Sequence, residues 1–115
     1  MLHKDKITIQ KIISEIDIGL EMLGTLQMEE FLKDEVLKRA LSMTTINIGE
    51  LVKIISFELR EKYPQVPWKA VAGMRDIAAH RYQTLRMEDV FYTMKNDFSK
   101  IAEQLKVILE AEQEV

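Results

Sequence analysis

Apolar side chains recur every three or four residues along most of this chain, and this spacing constrains the fold more than any other feature. It places apolar side chains on one face of a helix, whereas a half-buried strand would alternate apolar and polar residues. Strand-like alternation is weak everywhere, so the sequence predicts an all-α protein. The first and last apolar stretches illustrate the spacing: Ile9, Ile12, Ile13, Ile16 and Leu20, and Val90, Phe91, Met94, Phe98, Ile101, Leu105, Ile108 and Leu109.

Four helices are predicted, over about Lys4–Leu23, Met28–Lys62, Trp68–Ala79 and Met87–Ala111. The clearest break is Tyr63–Pro67, because a proline disfavours helix in the residue before it and suits the first turn of the next helix. The second helix is longer than is usual in globular proteins. A bend is therefore expected within it, at Gly49 or in the run Thr44–Ile46, since these residues are weak helix formers. The segment Tyr82–Arg86 is predicted to be a loop.

Length and composition fit one small domain. The chain has 115 residues, of which 47% are hydrophobic, so one helical domain with a modest core is expected over residues 1–115. Four helices with short connections predict an antiparallel four-helix bundle. There are no cysteines, which excludes disulfides and thiolate chemistry and fits a reducing cytoplasm. Charged residues interrupt the apolar runs, so neither a signal peptide nor a membrane span is predicted.

Charge is distributed unevenly along the chain. The formal net charge is -3, which is not typical of a nucleic-acid-binding protein. From Trp68 to Met87, however, the charged residues are Lys69, Arg75, Arg81 and Arg86 against Asp76 alone. This locally positive segment could attract a phosphate, although so short a window is often uneven by chance.

The positive segment contains the sequence Arg75-Asp76-Ile77-Ala78-Ala79-His80-Arg81-Tyr82. Histidine can take up or give a proton near neutral pH, and arginine can hold a phosphate through two parallel hydrogen bonds. RNA supplies its own nucleophile, the 2′-hydroxyl, so its cleavage needs only proton transfer and charge stabilisation. No cofactor is expected. A zinc site is not predicted, because His3 and His80 are the only histidines and no cysteine is present.

The spacing of Arg75 and His80 poses a geometric problem. Five residues correspond to about 140° around an ideal helix, so the two side chains should not share one face of a straight helix. Either the helix loosens near Ala79, or the site is completed by another subunit. The structural alternative is that Arg75 pairs with a carboxylate while His80 binds the last carbonyls of a helix.

This segment resembles the motif of the HEPN superfamily of helical RNases: an arginine, a polar residue, and then His-x-Tyr near the end of a third helix. More closely, the chain resembles the HepT type, toxins encoded beside a minimal nucleotidyltransferase antitoxin. The resemblance extends over nearly the whole chain. Its other elements are Arg39-Ala40, Asn47-Ile48-Gly49-Glu50 and Pro67-Trp68 leading into Met74-Arg75.

The resemblance implies a homodimer in which arginine and histidine side chains of both subunits line a cleft and cleave RNA without a metal. Arg75 would stabilise the phosphate, and His80 would be the general acid and base. Tyr82 would accept adenylyl groups from the nucleotidyltransferase antitoxin. Such groups would bring negative charge and bulk to the cleft where RNA must bind.

Four further residues are candidates for supporting this site. Asp76 departs from the asparagine often found after the arginine, and it could pair with Arg75 or Arg81 and weaken phosphate binding. Arg81 adds positive charge beside His80. Asn47 and Glu50 could support the site from the neighbouring helix, or could be a structural hydrogen-bonding residue and a solvated acid.

Three hypotheses about function follow. The first is a metal-independent endoribonuclease toxin that its nucleotidyltransferase partner neutralises. The second is a dimeric, non-catalytic adaptor that delivers nucleotide or substrate to that partner. The third is a plain helical interaction protein. Asp76 and the acidic net charge favour the second, whereas Arg75, His80 and Tyr82 together favour the first.

Overall fold

The computed structural model describes residues 1–112, and all of its regular secondary structure is helical within that range. The all-α prediction is therefore confirmed. The helices are α1 (His3–Leu23), α2 (Met28–Lys33), α3 (Glu35–Ile54), α4 (Phe57–Lys62), α5 (Trp68–His80), α6 (Met87–Tyr92) and α7 (Ser99–Ala111). A 3₁₀ turn (Tyr82–Thr84) follows α5, and a π-helical stretch (Thr93–Phe98) joins α6 to α7.

The hydrophobic core lies between α1, α3 and the rod formed by α6, the π-helical stretch and α7. Ile12 of α1, Ile48 of α3 and Leu105 of α7 are each fully buried, as the three- and four-residue spacing predicted. The π-helical stretch packs against α1 at a glycine, because a Cβ at Gly19 would contact the Met94 side chain. The rod is thereby fixed against α1, and α5 packs mainly against α3.

The long second helix predicted from the sequence is three helices, and its expected bend was placed wrongly. Thr44 and Thr45 remain helical because their hydroxyls donate hydrogen bonds to the carbonyls of Ala40 and Leu41, each at 3.0 Å. Gly49 is also helical. The chain instead breaks at Asp34 and between Ile54 and Phe57.

Capping side chains explain the positions of these two breaks. The Asp34 carboxylate accepts a hydrogen bond from the Leu37 amide at 3.0 Å and begins α3. Ser56 begins α4, since its hydroxyl accepts from the Leu59 amide at 3.3 Å. The buried Asp5 carboxylate holds Ser56 in turn, accepting from its amide at 2.9 Å and its hydroxyl at 2.5 Å. The second break is therefore tied to α1.

Helices α3 and α5 approach each other most closely at Gly49. A Cβ built at this position would collide with the Arg75 Cβ and would lie 3.2 Å from the Arg75 Cα. Only glycine permits this separation, because the opposing atoms belong to the backbone and the first side-chain carbon of α5. The Gly49 contact therefore sets where Arg75 lies relative to α3.

None of the helices described for residues 1–112 combines the length and apolarity that crossing a membrane requires.

The Gly49 contact predicts opposite effects of alanine at two helical glycines. Gly49→Ala should lower the free energy of unfolding by about 1–3 kcal/mol, because α5 must move away from α3. Gly73→Ala is the matched control, since a Cβ there meets no atom within 4 Å, and it should stabilise the protein by about 0.5–1 kcal/mol. Urea unfolding measures both, and a Gly49→Ala variant as stable as the wild type would contradict the close packing.

Candidate active site

Arg75 and His80 meet within one chain. The Arg75 Nη1 atom lies 3.3 Å from the His80 Nε2 atom, and α5 runs unbroken to His80. The expectation that one straight helix could not bring them together was therefore wrong. The two positions do diverge by about 140° around the axis, but the long arginine side chain extends along the helix and bridges that divergence.

The contact between these side chains defines the hydrogen-bonding role of the His80 Nε2 atom. A guanidinium can only donate hydrogen bonds. A hydrogen bond from Arg75 Nη1 therefore requires an unprotonated Nε2, with the ring proton on Nδ1. The same Nε2 lone pair can accept a proton from a substrate once Arg75 Nη1 has released it. His80 is exposed at the end of α5, so a substrate can reach it.

Two carboxylates hold the Arg75 guanidinium. Glu50 of α3 forms an ion pair with Nε, and the Asp76 Oδ1 atom accepts from Nη1 at 3.1 Å. The Arg75 side chain is only 24% exposed. Its second terminal nitrogen, Nη2, donates no hydrogen bond to any residue of the described range 1–112. This nitrogen can donate to a phosphate without first losing a hydrogen bond to the described residues.

Lys53 of α3 also belongs to this cluster. Its Nζ atom lies 2.8 Å from the same Asp76 Oδ1 atom that Arg75 contacts. The hydrogen bond from Lys53, with a smaller contribution from Arg75, lowers the pKa of the Asp76 carboxyl below its ordinary value. Sequence reasoning missed Lys53, because it lies on a different helix from Asp76 and matches no motif.

Tyr82 lies beside this cluster, in the 3₁₀ turn that follows α5. The Arg39 guanidinium stacks over its ring, with Cζ 5.7 Å from the ring centre, a distance at which a cation is attracted to the aromatic face. Arg39 is held in place by Glu35 at 3.0 Å. The half-buried Tyr82 makes no hydrogen bond through its hydroxyl to residues 1–112.

Two predicted supporting residues lie outside the cluster. Asn47 donates through Nδ2 to the Glu15 Oε1 atom of α1 at 3.4 Å, which is a link between helices α1 and α3. Arg81 is exposed, and its side chain pairs with neither Asp76 nor any other acid among the described residues. Of the two pairings predicted for Asp76, only the one with Arg75 is present.

The positive segment is partly neutralised in the folded chain. Arg75 faces Glu50 and Asp76, and Arg86 lies 3.5 Å from Glu88. Arg81 remains as an exposed positive charge. Within residues 1–112, no group of three or more histidines and acids is arranged to hold a metal ion.

Comparison with known proteins gives consistent matches. A family profile described as "Ribonuclease HepT-like" matches residues 9–108. A protein of Caldanaerobacter subterraneus subsp. tengcongensis, provisionally named an RNase, is 36% identical over 104 residues, covering 90% of this chain and 93% of that protein. A protein of Methanocaldococcus jannaschii with the same provisional name is 34% identical over 98 residues, covering 85% of this chain and 84% of that protein.

A protein of Thermococcus cleftensis, named a probable ribonuclease HepT, is 28% identical over 99 residues, covering 86% of this chain and 88% of that protein. No solved structure gave a significant match to the chain.

Proposed function

Because the chain belongs to the HepT-like ribonuclease family, we propose that it is an endoribonuclease whose active site contains Arg75 and His80. The observation that carries this proposal is the 3.3 Å contact between the Arg75 and His80 side chains at the exposed end of α5. It joins a group that can accept a proton to a permanent positive charge, and these are the two functions that cleavage of RNA by its own 2′-hydroxyl requires.

The reaction proceeds in one displacement at phosphorus. The 2′-hydroxyl of the bound RNA replaces Arg75 Nη1 at the His80 Nε2 atom. This atom then takes the hydroxyl proton, and the 2′-oxygen forms a bond to the adjacent phosphorus. The bond from phosphorus to the 5′-oxygen of the next nucleotide breaks, and that oxygen receives a proton from an imidazolium. Arg75 stabilises the negative charge that builds up on the phosphate oxygens, and its Nη2 atom, which donates no hydrogen bond within the described range, donates to them. This chemistry needs no metal.

We propose that the protein acts as a homodimer, with a second copy on the exposed side of α3. Val36 and Ile54 are 79% and 48% exposed and lie 18 residues apart, which is about five turns, so they share one side of the helix. Met43, 55% exposed, lies on the same side. Apolar side chains there border Glu50 and so border the Arg75 cluster. A second His80 near the same phosphate would supply the imidazolium for the leaving oxygen.

Control of this ribonuclease by an antitoxin is the second part of the proposal. The chain acts as the toxin of a toxin–antitoxin pair, and a minimal nucleotidyltransferase attaches adenylyl groups to the Tyr82 hydroxyl. That hydroxyl is unpaired among the described residues and adjoins the end of α5. Each attached phosphate adds negative charge and bulk where the RNA phosphate must bind, so modification should block cleavage.

One observation favours a non-catalytic alternative. Glu50 and Asp76 both form ion pairs with the Arg75 guanidinium. Two carboxylates beside one guanidinium oppose the binding of a phosphate. A dimeric adaptor that delivers nucleotide or substrate to the nucleotidyltransferase would need no free Arg75.

RNA cleavage tests the ribonuclease directly. Purified protein incubated with RNA in EDTA should cleave it, and His80→Ala or Arg75→Ala should each reduce the rate by about 10²-fold or more, as removal of a general base or a charge-stabilising group does. His3→Ala, which changes the only other histidine, should cleave at the wild-type rate. Absence of cleavage by the wild type would contradict the ribonuclease and favour the adaptor.

The dimer predicts a change of mass on altering the exposed side of α3. Light scattering should give twice the mass of one chain for the wild type and the monomer mass for Ile54→Lys, because a charge would be buried in the interface. Val107→Lys introduces the same charge on α7, at a position 62% exposed, and should remain dimeric. A monomeric wild type would contradict the proposal.

The role of Tyr82 predicts the site of modification. After incubation with a minimal nucleotidyltransferase and ATP, mass spectrometry should find adenylyl groups on Tyr82 and none on the Tyr82→Phe variant. Tyr92→Phe removes another tyrosine, 57% exposed, and should be modified as the wild type is. Adenylyl groups found at another residue would refute the assignment.

A further inference from the structure

We propose that Lys53 is a positioning residue that holds the Asp76 carboxylate and thereby leaves Arg75 able to bind an RNA phosphate. The proposal rests on the ribonuclease activity proposed above. No motif marks Lys53. Its role is inferred from the contact of its Nζ atom with Asp76 across the packed face of α3 and α5.

The charges around Arg75 explain why a second cation is needed beside it. Glu50 and Asp76 together carry two negative charges, against the single positive charge of Arg75. An approaching phosphate would therefore meet a net negative site. Lys53 makes the group of four neutral in sum, and its Nζ atom is close enough to the Asp76 carboxylate for the added charge to act at short range. Without Lys53, Asp76 would have Arg75 as its only cationic partner among the described residues.

The distances indicate which cation holds the carboxylate. The Asp76 Oδ1 atom lies 2.8 Å from Lys53 Nζ and 3.1 Å from Arg75 Nη1. The same order holds in the lowered pKa of Asp76, to which the hydrogen bond from Lys53 contributes more than the one from Arg75. Since Lys53 already holds that oxygen, Arg75 can leave it and turn toward a phosphate at a smaller cost in free energy.

The register of α3 places both charged residues against α5. Glu50 and Lys53 are one helical turn apart, and both follow Gly49, where α3 and α5 are closest. Glu50 thus reaches the Nε side of Arg75 while Lys53 reaches the carboxylate of the next residue. The same glycine contact that fixes the backbone of Arg75 therefore also fixes the lysine that neutralises its neighbour.

A double-mutant cycle tests this role. Lys53→Met should reduce kcat/KM for RNA cleavage by about tenfold in the wild-type background, a loss of about 1.4 kcal/mol of transition-state stabilisation. In the Asp76→Asn background, which removes the carboxylate charge, Lys53→Met should change the rate by less than about twofold, because a residue that acts through another loses its effect with it. If Lys53→Met does not fold, Lys53→Gln replaces it in the cycle, because glutamine removes the positive charge but keeps a hydrogen-bond donor. Lys106→Met is the control, since that lysine is 46% exposed and also pairs with one acid, Glu103 at 3.2 Å.

Two outcomes would overturn the proposal. A wild-type rate for Lys53→Met would show that Asp76 needs no such partner. A tenfold loss that persists in the Asp76→Asn background, with a salt dependence reduced by about one counterion, would show that Lys53 binds an RNA phosphate directly.

A titration separates this proposal from the ribonuclease itself. The carboxyl carbon of Asp76, followed by NMR against pH, should show a pKa that rises toward 3.8 in Lys53→Met and stays at the wild-type value in Lys106→Met. An unchanged Asp76 pKa in Lys53→Met would refute the contact whether or not the protein cleaves RNA. If the titration behaves as expected and the wild type does not cleave RNA, the ribonuclease fails and the Lys53 contact with Asp76 stands.

Discussion

The site depends on the close contact between α3 and α5 at Gly49. The missing Cβ lets the backbone of α5 lie against α3 at Arg75. The contacts of Glu50 and Lys53 with α5 follow from that approach, because the two side chains can reach α5 only if the helices are this close. Gly49, which the sequence predicted as a possible bend in a helix, therefore determines the geometry of the candidate active site.

The second constraint on the site is electrostatic. Arg75 lies among two acids, one lysine and one histidine, and its Nη2 atom donates no hydrogen bond within the described part of the chain. Ion pairs of this kind hold side chains in place but compete with a ligand of the same charge as the acids. The competition is weaker than two acids alone would cause, because each acid makes a different contact. Glu50 orients the guanidinium, while Asp76 is held by Lys53.

The sequence predicted the helices better than it predicted their breaks. Helical spacing located α1, α5 and the α6–α7 rod to within a residue, because burial of one face imposes that spacing. The breaks at Asp34 and Ser56 carried a signal that was overlooked, since both residues are good N-caps. The predicted bend at Thr44–Ile46 failed because helix propensity is weaker than tertiary packing and the threonine hydroxyls bind the preceding turn.

For the site, motif resemblance identified Arg75, His80 and Tyr82, and spacing alone misjudged how the first two meet. A helical wheel compares directions and neglects the reach of an arginine side chain. Lys53 could not be found from sequence, because its contact with Asp76 depends on how α3 and α5 are aligned. Asn47, on the same helix, faces α1 instead, which a motif could not decide.

The chemical structure of the cleaved ends tests the central claim most directly. If His80 activates the 2′-hydroxyl beside Arg75, mass spectrometry of the RNA fragments should find a 2′,3′-cyclic phosphate on the upstream fragment and a 5′-hydroxyl on the downstream one. A 2′-deoxy nucleotide at the cleaved position should then block the reaction. Fragments that end in a 3′-hydroxyl and a 5′-phosphate would contradict this mechanism, because they require water as the nucleophile and the 3′-oxygen as the leaving group.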